Sequence, residues 1–159
     1  MDHHSNTRVR LPIVRLQVVR ERSLTYEAGI TGPQDLTAAF RALLEDQDRE
    51  VFAVAMLDSK HRIRGLQVAS VGTLNATLTH PREVFKLAVT ANVSAIAVAH
   101  NHPSGSPEPS PEDRALTRQL LAAGEILGIR VLDHLVIGDG VHVSLRETSG
   151  LWSEYPFHV

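Results

Sequence analysis

The chain predicts a single α/β domain with a mixed central β-sheet flanked by helices, and three observations carry that expectation. Short, almost wholly apolar runs at residues 51–57 and 93–99 read as strands buried on both faces. Around them lie segments whose apolar residues recur at i, i+3, i+4 and i+7, the spacing of helices that bury one face. At 159 residues, with 43% hydrophobic and 21% charged content, the chain has the length for one substantial core and an ordinary globular composition.

Residues 1–32 combine a polar start with one expected strand over residues 11–19, where Leu11, Ile13, Val14, Leu16, Val18 and Val19 supply the apolar content. The domain proper is expected over residues 33–150. Gly32-Pro33 opens a helix whose buried stripe is Leu36, Ala39, Phe40, Leu43 and Leu44. The strand 51–57 follows, then a turn at Asp58-Ser59-Lys60-His61 and an extended segment from Ile63 to about Leu78, alternating at Leu66, Val68 and Ser70. Pro81 starts a second helix with Val84, Leu87, Ala88 and Ala91 on one face, and His80 before it reads as its N-cap or as a surface residue. A third helix is expected from Pro111 to about Leu127, with Leu116, Leu120, Ala123 and Leu127 inward and Gly128 as C-cap. Residues 130–137 and 141–145 read as a hairpin across Gly138-Asp139-Gly140, and 151–159 as a C-terminal tail of the same compact domain.

The most informative segment is His100-Asn101-His102-Pro103-Ser104-Gly105-Ser106-Pro107-Glu108-Pro109-Ser110-Pro111-Glu112-Asp113. Side chains alternate along a strand, so His100 and His102 project the same way at the end of the apolar run. A Pro/Gly/Ser turn then leads into Ser110-Pro111, an N-cap followed by proline at the first helical position, with Asp113 at the third. Two imidazoles and a carboxylate on such a framework form a ligand set suited to zinc, with a fourth position open to water. Each part also has a plain structural reading: Ser110 and Asp113 make a capping box with Asp in place of Glu or Gln, and the His pair fits a hydrogen-bonded turn. The conjunction of all of them favours the metal site. Hydrolysis at such a site needs a proton acceptor. Glu50 stands at the mouth of the strand 51–57, although spacing alone makes it one carboxylate among several in the polar stretch 45–50.

An upstream Glu followed by His-x-His, seven residues, Ser, two residues and Asp resembles the JAMM signature of JAB/MPN+ zinc metalloproteases. Arg49-Glu50-Val51-Phe52, Pro81-Arg82-Glu83-Val84, residues 99–105 and residues 131–140 are similar to the RadC branch, over roughly residues 33–150. The resemblance implies a JAB/MPN-like fold and one zinc per chain held by His100, His102 and Asp113. It implies Glu50 as general base and acid, Ser110 as a stabiliser of the tetrahedral oxyanion, and a peptide or isopeptide-linked protein as substrate. Two departures accompany it. The helix-hairpin-helix region of longer RadC proteins is not expected in the residues ahead of 33, which weakens the DNA-repair association, and His80 replaces a tyrosine often found before the Pro-Arg-Glu-Val segment.

Composition narrows the alternatives. There is no cysteine, so a zinc site must use imidazole and carboxylate, and a reducing compartment fits. Neither a membrane-length apolar run nor a signal-peptide layout is present, which makes the cytoplasm the default. Net charge is −2, from 16 Lys plus Arg against 18 Asp plus Glu. Arg8, Arg10, Arg15, Arg20 and Arg22 concentrate near the N-terminus, but Arg8 and Arg10 share a strand parity with Pro12 and Val14, so a solvated face is the better reading than a nucleic-acid stripe. His134, beside a core strand, reads as a hydrogen-bonded structural or supporting histidine, since a fourth protein ligand would close the site to water. Three functions remain: a zinc hydrolase of peptide or isopeptide bonds, a DNA-metabolism factor or metal-dependent nuclease, and a non-catalytic interaction module.

Overall fold

The computed structural model describes residues 12–26, 29–72 and 79–157. Among these the elements run α1 (Pro33–Leu44), β1 (Val51–Leu57), β2 (Ile63–Val71), α2 (Pro81–Thr90), β3 (Ala95–Asn101), α3 (Pro111–Leu127), β4 (Arg130–Ile137), β5 (His142–Ser144), α4 (Leu145–Thr148) and α5 (Leu151–Glu154). The strands form one mixed sheet in the order β2-β1-β3-β4-β5. Pairing is antiparallel except between β3 and β4, which are parallel and joined through α3.

The three central strands are buried on both faces apart from Arg130, β1 as an unbroken apolar run and β3 and β4 with His100, Asn101, Asp133 and His134 buried among their apolar residues. One face, with Phe52, Val54, Met56, Ile96 and Val98, packs against Val84, Phe85 and Ala88 of α2 and Leu120 and Leu121 of α3. The opposite face, with Ala53, Ala55, Ala97 and Ala99, meets Leu36, Phe40 and Leu44 of α1. The small alanines let α1 lie close to the sheet. Tail residues beyond 150 join the first core: Leu151 of α5 is buried, and the Trp152 indole N–H donates to the Val131 carbonyl at 2.8 Å.

Three expectations are corrected. The strand expected over residues 11–19 does not form: residues 12–26 carry no strand or helix, and Ile13, Val14, Leu16 and Val19 stand exposed, while Leu11 lies outside the described residues. A strand requires a neighbour to take its N–H and C=O groups, and no described strand of this chain pairs there. The inward stripe of α3 is also rotated from expectation. Asp113, Thr117, Leu120, Leu121 and Gly124 are buried, Leu116 and Ala123 only flank them, and Leu127 is 47% exposed. Aiming Asp113 at the sheet fixes this rotation, and Gly124 permits it, since a Cβ there would lie 2.5 Å from the Ile129 carbonyl oxygen. Finally, the alternation along β2 breaks at a bulge, where Phe52 faces Ser70 but Ala53 faces Val68. Leu66 packs on the α1 side of the sheet and Ala69 on the other, and residues 73–78 of the expected extension lie outside the described residues.

Candidate metal centre

His100 is the penultimate residue of β3 and His102 follows the strand end, so strand parity turns both rings to the α2/α3 face, where α3 begins. Their Nε2 atoms approach to 3.0 Å. From the first turn of α3, Asp113 brings Oδ1 to 3.1 Å from His100 Nε2 and Oδ2 to 3.4 Å from His102 Nε2. Ser110 caps the helix as expected: its Oγ accepts the Asp113 N–H at 3.1 Å, and its own N–H donates to Asp113 Oδ2 at 2.7 Å. The capping box and the His cluster thus share one carboxylate: Oδ2 takes the Ser110 N–H and also faces His102, while Oδ1 faces His100.

These three residues form a group able to hold a metal ion, with one donor atom from each within 4.8 Å of the others. A tetrahedral zinc with bonds of about 2.0–2.1 Å sets its donors about 3.3 Å apart, close to the separations here. Proton accounting supports the fit. The Ser106 carbonyl can only accept, so the 2.8 Å bond from His102 requires Nδ1–H and, in the neutral ring, a bare Nε2. That lone pair points at another imidazole nitrogen and a carboxylate, an arrangement that a proton or a metal cation among the donors holds together. Burial disfavours ionisation of Asp113, but the facing His100 and His102 rings outweigh it and hold the carboxyl well below the usual range. Asp113 in turn raises the His102 imidazole above its ordinary value against the opposing effect of burial.

The loop carrying His102 is fixed from below. His102 N–H donates to Ile137 O at 2.9 Å, and Asp139 N–H donates to Gly105 O at 2.9 Å. Gly138 makes this approach possible, since a Cβ there would overlap the Gly105 carbonyl and come within 3.0 Å of Pro107 N.

Glu50 is half-buried, outside the three-residue metal group. Phe52 pairs with His100 across β1 and β3, and continuing that antiparallel register by two residues sets Glu50 opposite His102. Its charge is felt there, contributing to the raised His102 value. Asn101 holds this region in a way the sequence reading missed. Its side chain accepts the Val51 N–H at 2.7 Å and donates to the Arg49 carbonyl at 2.8 Å, clasping the backbone on both sides of Glu50. A buried asparagine between two histidines at a strand end, pointing to the opposite face, was the available signal.

Beneath the cluster lies His134, fully buried and outside the metal group. Its Nε2 is 2.9 Å from His100 Nδ1 and its Nδ1 is 2.7 Å from Thr117 Oγ1. Complete burial holds the His134 ring well below the ordinary histidine value, so it is neutral. Phe52 stacks on His100 at 5.8 Å between centroids and meets His134 edge-on at 5.4 Å. Thr117 was also missed; its signal is the i+4 spacing from Asp113, which puts both on one helical face. His80 stands exposed at the N-cap of α2 without a side-chain capping bond.

The sequence is similar to known proteins over most of its length. A family profile described as a RadC-like JAB domain matches residues 30–151. A UPF0758 protein of Trichormus variabilis is 52% identical over 122 residues, covering 75% of this chain and 50% of the relative. UPF0758 proteins of Trichodesmium erythraeum and Alkaliphilus oremlandii are 48% and 44% identical over 129 and 138 residues, covering 81% and 85% of this chain and 53% and 60% of theirs. The chain therefore spans little more than half the length of these curated relatives.

Proposed function

Because the chain belongs to the RadC-like JAB domain family, we propose that it is a zinc-dependent hydrolase that cleaves a peptide or isopeptide bond. The observation that carries the reading is the convergence of His100, His102 and Asp113 on one point with donor separations of 3.0 to 3.4 Å. His100, His102 and Asp113 would hold the zinc, which would supply a Lewis acid for the scissile carbonyl and would ease deprotonation of the attacking water. Glu50 takes the proton of the attacking water as the new C–O bond forms, and returns it to the leaving amine as the amide C–N bond breaks. Ser110 supports the developing oxyanion. Its Oγ already accepts the Asp113 N–H, which leaves the hydroxyl proton to donate. Asn101 holds the backbone on either side of Glu50, at Arg49 and Val51, by two hydrogen bonds, limiting the loss of alignment that proton transfer tolerates poorly.

The test exposes zinc-loaded protein and its Glu50→Gln variant to a proteome-derived peptide library and to branched, isopeptide-linked peptides, with new termini read by mass spectrometry. A neutral amide cannot accept the proton, so the variant is expected to keep zinc and fold while cleavage falls by about 10² to 10⁴. No cleavage by the parent, or equal cleavage by both, would count against the reading. Loss of zinc in the variant would make Glu50 a ligand rather than the base.

A further inference from the structure

His134 on β4 and Thr117 on α3 are both 0% exposed, lie directly beneath the cluster, and belong neither to the metal group nor to the proton-transfer steps. We propose that Thr117 and His134 form a hydrogen-bond relay that fixes the tautomer of His100, so that its Nε2 lone pair faces the metal position. They are positioning residues, and the proposal rests on the metal reading above.

The argument is a count of protons. The Asp113 backbone carbonyl has none to give, so its 2.6 Å contact with Thr117 Oγ1 requires the threonine hydroxyl to donate. A hydroxyl carries one hydrogen. Toward His134 Nδ1, 2.7 Å away, the same oxygen must accept, which places a hydrogen on Nδ1. The neutral ring then has a bare Nε2, which accepts from His100 Nδ1 at 2.9 Å. With its hydrogen on Nδ1, neutral His100 presents a lone pair at Nε2, the atom 3.0 Å from His102 Nε2 and 3.1 Å from Asp113 Oδ1. A direction set by the backbone of α3 is passed through two side chains to the metal position.

The fold brings His134 to this place through an irregularity in β4. Ile96 pairs with Val131 but Val98 pairs with His134, so three steps on β4 answer two on β3. The shift puts His134 on the same face as His100, with Phe52 packed against both rings. Metal-bound histidines usually donate their second N–H to a carboxylate, carbonyl or water. Here the acceptor is a neutral imidazole, which orients His100 without adding negative charge beneath the site.

Zinc affinity by chelator competition tests the relay, measured for the parent, His134→Leu, His134→Gln and Thr117→Val. Melting temperatures of the metal-free forms and visible spectra of the Co²⁺-loaded forms accompany it. His134→Leu removes the acceptor and is expected to weaken zinc binding by about 10- to 100-fold and alter the Co²⁺ spectrum. Thr117→Val removes the lock on the His134 tautomer and is expected to weaken binding in the same direction. Gln can place an amide oxygen against His100 Nδ1–H, so His134→Gln is expected to recover most of the affinity. Parental affinity and spectrum in folded His134→Leu and Thr117→Val, with only a lower metal-free melting temperature, would overturn the relay and leave a purely structural role. Equal weakening by Leu and Gln would overturn it as well, because shape rather than the acceptor would then be the cause. Should His134→Leu fail to fold, Thr117→Val decides: a drop supports the relay and parental affinity overturns it. A parent that binds neither Zn²⁺ nor Co²⁺ removes the metal reading itself, an outcome distinct from variants that match a metal-binding parent.

Discussion

Ser110 shows how one residue can tie stability to chemistry. Its oxygen caps α3, and its hydroxyl proton is left for the proposed oxyanion. Ser110→Ala is expected to cost about 1 kcal/mol through the lost cap, lowering the melting temperature by about 2–4 °C. Turnover is expected to fall by about 10² to 10³ through the lost donor. Zinc should stay bound, because the backbone N–H that anchors Asp113 Oδ2 survives the substitution. Metal analysis, a thermal melt and a cleavage assay on one preparation check all three, and loss of zinc would show that the cap itself holds the ligand in place. At this scale the sequence was informative where residues lie close along the chain: His100, His102, Ser110 and Asp113 occupy one strand end, one turn and one helix start. Glu50 could not be placed by spacing, because the pairing of Phe52 with His100 brings it near the cluster. The spacing of Thr117 from Asp113 gives its helical face, but its meeting with His134 depends on contact between β4 and α3, which no local pattern reports.

Elements meet at the site with little slack, and Gly138 is where this is most easily tested. The His102 loop rests directly on the backbone at the end of β4, so Gly138→Ala must push away Gly105 and Pro107, and with them Ser106, whose carbonyl holds His102 Nδ1. The substitution is expected to destabilise the fold by about 1–3 kcal/mol and to weaken zinc binding as well, read from melts with and without zinc. An unchanged zinc-induced shift in melting temperature would show that the loop tolerates displacement. Elements with strong local signals formed as expected: the apolar runs as buried strands, Pro33, Pro81 and Pro111 as helix starts, and Gly128 as a left-handed C-cap at φ 67°. The rotation of α3 and the irregularities in β2 and β4 were hidden, because they answer to partners rather than to the period of their own sequence.

For the molecule as a whole, the N-terminal segment gives the clearest limit on sequence reading. Its apolar content is that of a strand, yet residues 12–26 form none, since strand formation is a property of a pair. Arg15, Arg20 and Arg22 stand exposed in that segment, and net charge is −2, so few phosphates can be neutralised together. Binding of this chain to a random DNA duplex is expected to be weak at physiological salt; tight binding with a steep salt dependence, measured by fluorescence anisotropy, would instead identify these arginines as a nucleic-acid surface. Among the described residues no helix is long and apolar enough to cross a membrane. What the fold does achieve is the meeting of two strand-borne imidazoles and one helix-borne carboxylate, and the most direct test is the metal content of the purified protein. Elemental analysis is expected to find about one zinc per chain, lost in His100→Ala and in Asp113→Ala while the α/β fold remains by circular dichroism. Parent protein that stays folded, accepts no zinc on titration and matches both variants in melting temperature with zinc present would contradict the account.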